Sequence, residues 1–132
     1  MKTMKTGLFA AAIVATIFAG IAAAEEVGTK SKDGVGSYLA DSRGMTLYSF
    51  DKDSPGKSVC AGPCVENWPI FYAEKVTVSA GLDAKNFGTI TRDDGKKQTT
   101  YKDAPLYYFS KDKAPGDTNG QGFTDIWRAA KP

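Results

Sequence analysis

The chain has 132 residues, with 17 basic and 15 acidic side chains, two cysteines and no histidine. The near balance of charge gives no general attraction to nucleic acid, so we do not expect a nucleic-acid-binding protein. The lack of histidine removes the commonest transition-metal ligand and the most frequent general base, so we predict no metal site and no cofactor.

The first segment has the composition of an export signal. Two lysines precede an uncharged apolar run over residues 7–24, which ends in three alanines before Glu25. This order of basic, apolar and small residues is typical of a cleavable signal peptide, so we predict that residues 1–24 are removed and that no transmembrane segment remains. A retained membrane anchor is the alternative, because the run approaches the length of a spanning helix.

Beyond the signal, residues 25–35 are polar and are predicted to form a flexible leader. Over residues 36–132, short apolar or aromatic runs alternate with turn-rich stretches, and no long segment keeps a helical period. This pattern predicts one domain that is all-β or nearly so. The predicted strands are Ser37–Ala40, Met45–Phe50, Ile70–Tyr72, Gly88–Arg92, Gln98–Tyr101 and Pro105–Phe109. Short helical turns are predicted at Pro63–Trp68, Ala80–Asn86 and Thr124–Ala130.

An internal repeat relates two parts of this domain. Leu47–Asp53 aligns without a gap on Leu106–Asp112, at an offset of 59 residues, and a tryptophan follows each aspartate by 15 residues. We therefore predict two similar halves, each with a hairpin, a long Gly/Pro loop and a tryptophan that returns to the core. The repeat motif comprises Tyr48, Phe50, Asp53, Trp68, Tyr107, Phe109, Asp112 and Trp127.

The repeat motif has two interpretations. Alternating aromatic residues in a strand usually pack in a core, and an aspartate just after the strand can pin the following loop through backbone N–H groups. Alternatively, some of the aromatic rings line a groove that binds a flat ligand. Tyr108 is the specific candidate for ligand contact, because its counterpart in the first half is Ser49 and the repeat does not require an aromatic residue there.

Cys60 and Cys64 are the only cysteines of the chain. In an oxidising compartment an isolated close pair predicts a disulfide, which would fix the loop before Trp68. A reversible redox pair is the functional alternative. Two cysteines alone supply only half of a zinc site.

The sequence contains no convincing catalytic constellation. Without histidine no Ser-His or Cys-His pair can be built, and no glycine-rich phosphate-binding loop follows a predicted strand. The neighbouring carboxylates Asp93-Asp94 and Asp51 with Asp53 fit a turn and a loop anchor, respectively. We therefore predict no catalytic residue and a protein that is not an enzyme.

These motifs together resemble a bacterial secreted-repeat family, the predicted lipoproteins with a Tyr-x-aromatic-x-x-Asp motif. The resemblance covers about residues 36–130. It rests on Gly44–Phe50 with Asp53, on Cys60, Gly62, Cys64 and Trp68-Pro69, and in the second half on Arg92, Asp94-Gly95, Gln98, Thr100-Tyr101, Pro105–Phe109, Asp112, Pro115–Thr118, Gly120–Gly122 and Trp127.

The resemblance implies export and a duplicated architecture, and it assigns no catalytic residue, because the family has no known biochemical function. Many members carry a lipid-modified cysteine at the cleavage site. This chain has Ala24-Glu25 there, which favours a soluble periplasmic or secreted protein.

Three classes of function remain open from the sequence. The first two are a non-catalytic module of the cell envelope that binds an unknown envelope component or a small ligand, and a non-catalytic structural envelope protein. The third is a redox or envelope-stress protein that uses the Cys60/Cys64 pair. Exposed aromatic rings beside the Gly/Pro loops would favour binding, an exposed cysteine pair would favour redox chemistry, and complete burial of the rings would favour a structural role.

Overall fold

The structure, a computed structural model, describes residues 24–132. The predicted signal peptide therefore lies outside the described residues, apart from Ala24. The strands are β1 (Ala24–Lys32), β2 (Gly36–Ala40), β3 (Tyr48–Phe50), β4 (Lys75–Val78), β5 (Phe87–Thr91), β6 (Lys97–Tyr101), β7 (Ala104–Pro105) and β8 (Trp127–Ala129). One short α-helix, α1 (Pro63–Asn67), and two 3-10 turns, Ala84–Asn86 and Phe123–Asp125, complete the described elements. This composition confirms the all-β class.

The two halves meet at a backbone pair in the middle of the molecule. The amide of Tyr48 donates to the carbonyl of Tyr107 at 2.8 Å, and the amide of Tyr107 donates back at 2.9 Å. This is the reciprocal pattern of an antiparallel pair. It places Leu47–Phe50 and Leu106–Phe109 at equivalent positions, which confirms the prediction of two similar halves.

Each half exchanges its tryptophan segment with the other half. Strand β8 of the second half pairs antiparallel with β3 of the first half, so that Trp127 lies opposite Phe50. In the same way, Ile70 of the first half forms an antiparallel bridge with Tyr107 of the second half. The segments therefore lie in the order 127–129, 48–50, 107–109 and 68–70, and each half completes the sheet of the other.

This central layer has two different faces, because successive residues of a strand point to opposite sides. The aromatic residues Tyr48 and Tyr107 belong to one buried cluster with Trp68, Phe109 and Trp127. Their neighbours Leu47 and Leu106 belong to a second cluster with Val27, Leu39, Phe71, Ala73, Tyr101 and Ala130. The Gly/Pro loops follow the strands of the aromatic cluster.

Two sequence predictions are corrected by the fold. Residues 25–35 are not a loose leader, since β1 pairs antiparallel with β2 and parallel with β4, and Val27 is fully buried. The other strand residues around Val27 are polar, so the segment carries little apolar signal. The predicted helical turn Thr124–Ala130 is instead a 3-10 turn followed by β8, because Thr124 and Asp125 have positive φ values of 49° and 62° and the chain then pairs with β3.

No helix among residues 24–132 is long and apolar enough to cross a membrane.

Candidate functional site: a cleft left open by the repeat

The aromatic motif residues of the two halves form one stack of four rings. The order is Phe109, Trp68, Trp127 and Phe50, with centroid distances of 4.0, 3.7 and 4.1 Å between successive rings. The two indoles are almost parallel, at 2°, and both are buried. Tyr48 packs edge-on against Trp68, and Tyr107 packs in the same way against Trp127. The stack is therefore shared by both halves and lies in the core.

The motif tyrosines and aspartates join the halves through hydrogen bonds. The hydroxyl of Tyr48 donates to Asp112, and the hydroxyl of Tyr107 donates to Asp53, each at 2.7 Å. The second carboxylate oxygen of Asp53 accepts the amide of Val59 at 2.7 Å, whereas that of Asp112 accepts the amide of Asn119 at 3.0 Å. Each aspartate thus pins its own loop and holds the tyrosine of the other half.

Burial changes the proton affinity of these four side chains. It raises the pKa of the Asp53 and Asp112 carboxyls, although the hydrogen bonds that they accept oppose the change. It also raises the pKa of both phenols, and the neighbouring carboxylate acts in the same direction. The phenols therefore stay protonated and remain hydrogen-bond donors over the physiological pH range.

Tyr108, the sequence candidate for ligand contact, is half-buried rather than freely exposed. Its ring packs edge-on against Phe71 at a centroid distance of 5.7 Å, and its hydroxyl donates to Asp41 at 2.7 Å. The guanidinium of Arg43 lies 5.5 Å from the centre of the ring. Burial raises the pKa of the Tyr108 phenol, and Asp41 acts in the same direction. The Tyr108 side chain thus fills a notch on the face of the central layer that carries the second buried cluster.

The equivalent notch of the first half is open. At the same offset of 59 residues, Ser49 stands in place of Tyr108 and Ala130 in place of Phe71. A cleft of about 400 Å³ lies there, which we call the Ser49 cleft. It is lined by Ser49, Tyr101, Lys102, Ala104, Gln121, Arg128, Ala129, Ala130 and Lys131. The replacement of two aromatic side chains by serine and alanine accounts for this space.

Three cationic side chains line the Ser49 cleft. Arg128 pairs with the Asp51 carboxylate at 3.0 Å, and both side chains are largely exposed. Lys131 donates to the carbonyl oxygen of Val35, and the Lys102 ammonium lies 5.3 Å from the centre of the Tyr101 ring. Within residues 24–132, neither lysine forms an ion pair with a carboxylate. The cleft therefore carries an excess of positive charge.

A family model described as a secreted repeat of unknown function matches residues 29–71 and 88–131. The chain belongs to this family. The starts of the two matches are 59 residues apart, as are the two aromatic strands. The resemblance drawn from the motifs is thereby confirmed, and the family description is consistent with export. Comparisons with characterised proteins and with solved structures gave no match.

In this secreted-repeat protein, Cys60 and Cys64 are joined by a disulfide. Cys60 is buried, whereas Cys64 is half-buried at the start of α1. In the second half the residue equivalent to Cys64 is Phe123, which is 39% exposed. Its ring packs edge-on against Trp68, with 5.7 Å between the ring centroids. The disulfide and the phenylalanine thus occupy equivalent places beside the aromatic stack. A redox role for the cysteine pair stays a prediction.

Arg92 is a buried charge to which sequence reasoning assigned no role. Its guanidinium donates to Ser58 at 2.6 Å, to Gln98 at 3.1 Å and to the carbonyl of Cys60 at 2.7 Å. It also pairs with Asp94 at 3.1 Å. These contacts tie the disulfide loop of the first half to the β5–β6 hairpin of the second half. The sequence alone places Arg92 beside a turn, where an exposed charge is the usual expectation.

The motif carboxylates already have hydrogen-bond donors as partners. Among residues 24–132, no three Cys, Asp or Glu side chains are grouped so that they could hold a metal ion. The motif carboxylates are instead occupied by the tyrosine hydroxyls and the backbone amides described above.

Proposed function

We propose that this secreted-repeat protein is a non-catalytic module of the cell envelope that binds a small ligand in the Ser49 cleft. One observation carries the proposal: a notch that Tyr108 closes in the second half is open in the first half, where Ser49 and Ala130 line a space of about 400 Å³. Pockets for small molecules generally have volumes of about 300–1,000 Å³ and combine apolar walls with a few polar groups.

The rigidity of the surrounding core supports a binding role. The cleft is bordered by β8, by the end of β6 and by β7, and Ser49 itself lies in the central strand β3. A site on strands of a packed sheet keeps its shape before the ligand arrives, which lowers the entropic cost of binding. Burial of the motif aromatics favours a structural role for those rings, so we place the binding site in the Ser49 cleft, whose lining includes exposed polar side chains.

The proposal includes an exported location, either periplasmic or extracellular. It is supported by the order of basic, apolar and small residues before Glu25 and by the family description. Intact-mass measurement of protein from periplasmic and culture fractions tests this part. We expect a chain that begins at Glu25 and carries no acyl group, and a retained Met1 or an added lipid would overturn it.

The binding function is tested by NMR on the 15N-labelled mature protein with a set of small carboxylates, amines, sugars and peptides. We expect at least one compound to shift the amide signals of Ala129, Ala130 and Lys102. The variant Ser49→Tyr should lose these shifts, because its phenol fills the notch as Tyr108 does in the other half. If no compound shifts these signals, or if Ser49→Tyr responds like the natural chain, the proposed function is wrong.

A further inference from the structure

We infer that the ligand of the Ser49 cleft is a small aromatic carboxylate, with its ring in the space that Tyr108 fills in the second half and its carboxylate against the cations at the rim. This inference rests on the proposed binding function and names the chemistry of the ligand.

The strands that border the two notches pair in the same way. In the closed notch the amide of Phe71 donates to the Leu106 carbonyl at 3.0 Å, and in the open notch the amide of Ala130 donates to the Leu47 carbonyl at 2.8 Å. The space that two aromatic side chains fill in one notch is an open cleft in the other. Ala104, Ala130 and Tyr101 supply apolar surface. A flat apolar ring fits such a lining better than a branched or strongly hydrated group.

The polar groups that face the two notches differ. In the closed notch the Tyr108 hydroxyl donates to the carboxylate of Asp41. The hairpin of the second half is one residue shorter, so the position that corresponds to Asp41 at the open notch is Tyr101. The acceptor carboxylate is thus replaced by a neutral side chain. A ligand in the Ser49 cleft meets Lys102 and Lys131, which form no ion pair among the described residues, so its polar end should accept hydrogen bonds.

Neutral donors add to this preference. The side-chain oxygen of Gln121 already accepts the amide of Ala129 at 2.8 Å, which leaves the side-chain NH2 group of Gln121 available to a ligand. The hydroxyl of the half-buried Ser49 is a further donor. Together with Lys102, Arg128 and Lys131, the cleft offers several donors within one small volume. A carboxylate accepts several hydrogen bonds at once and matches this set in charge.

Titration calorimetry and NMR with benzoate test the inference on the mature protein. Benzamide serves as the neutral isostere, and acetate as the anion that lacks a ring. We expect benzoate to bind at least tenfold more tightly than either compound and to shift the signals of Ala130 and Lys102. Raising the salt concentration should weaken benzoate binding, because part of the attraction is between exposed charges.

Three variants locate the binding. Ser49→Tyr should abolish benzoate binding, and Ala130→Phe, which restores the other missing ring, provides a second filled cleft if the first variant folds poorly. Lys102→Met should weaken binding about fivefold, which corresponds to the loss of one exposed charge interaction. Lys96→Met, at an exposed lysine of the β5–β6 turn, removes the same charge elsewhere and should leave benzoate binding unchanged.

The outcomes separate the chemistry of the ligand from the binding function. If neutral or cationic compounds bind in a manner that Ser49→Tyr blocks, while benzoate does not, the function stands and the carboxylate assignment is overturned. If benzoate binds equally well to folded Ser49→Tyr and Ala130→Phe, the site is wrong. If no compound of any class shifts the cleft signals, both the function and its ligand class fail.

Discussion

The reciprocal tyrosine–aspartate hydrogen bonds predict a specific loss of stability when either phenol loses its hydroxyl. Tyr107→Phe removes the bond to Asp53 and leaves that half-buried carboxylate with the Val59 amide as its remaining described donor. A hydrogen bond to a charged group contributes about 1.5–3 kcal/mol, so we expect a loss of about 2 kcal/mol. For a domain of this size, the loss lowers Tm by roughly 10 °C. Urea unfolding followed by tryptophan fluorescence measures it directly.

Two comparisons make this prediction refutable. Tyr48→Phe should cost a similar amount, because each hydroxyl makes one further hydrogen bond: that of Tyr48 accepts the amide of Gly120 at 3.1 Å, and that of Tyr107 lies 2.6 Å from the Ser58 hydroxyl. Tyr72→Phe is the matched control, since the half-buried Tyr72 lies outside the two tyrosine–aspartate pairs and the loss of its hydroxyl should cost less than about 0.5 kcal/mol. If Tyr48→Phe and Tyr107→Phe are as stable as Tyr72→Phe, the reciprocal bonds do not hold the halves together.

Three further predictions follow from the core. Gly120→Ala should cost about 1–3 kcal/mol in urea unfolding, because the added Cβ would lie 2.8 Å from atoms of two aromatic rings. Unreduced, denatured protein should contain no free thiol, and the double variant Cys60→Ser with Cys64→Ser should lose about 2 kcal/mol, as expected for such a short closed loop. Burial raises the pKa of Asp53 and Asp112, so the native state holds their protons more tightly than the unfolded state does. The free energy of unfolding of the natural protein should therefore fall as the pH rises from about 4 through the raised pKa values. Replacing both by Asn should remove this fall, so the free energy of unfolding of the variant minus that of the natural protein should increase with pH.

Much of the fold is readable from the sequence because its signals are local or repeated. Alternating aromatic residues identify β3 and its counterpart, and the shared offset relates the halves without any knowledge of the pairing. The exchange of tryptophan segments is not readable, since the same offset holds whether Trp68 packs in its own half or in the other. Strand β1 escapes prediction for a related reason: its pairing with β2 and β4 is made by the backbone, while most of its side chains are polar and face solvent.

The candidate site shows where a single sequence misleads. The difference between Ser49 and Tyr108 is visible in the alignment of the halves, and it directs attention to the larger residue as the ligand contact. In the structure Tyr108 contacts Asp41 and Phe71, whereas Ser49 borders the open cleft. We therefore propose Ser49, rather than Tyr108, as the residue beside the ligand. A sequence cannot say whether a missing ring leaves a cleft or lets the strands move together, whereas the structure has an open space of about 400 Å³ at this position.

A duplicated core also restricts where function can arise. The equivalent tryptophans of the two halves, Trp68 and Trp127, contact each other in the central stack, so a change in one half alone would disturb packing that both halves share. The half-buried position of Ser49 and Tyr108 faces away from the stack, and the fold accommodates a different side chain there in each half. Ser49 lies on the opposite face of β3 from the stacked rings. Its counterpart in the second half is Tyr108, which closes the second notch. The two halves therefore differ at a position where the packing of the core does not require them to be alike. This difference supports the Ser49 cleft as the proposed binding site.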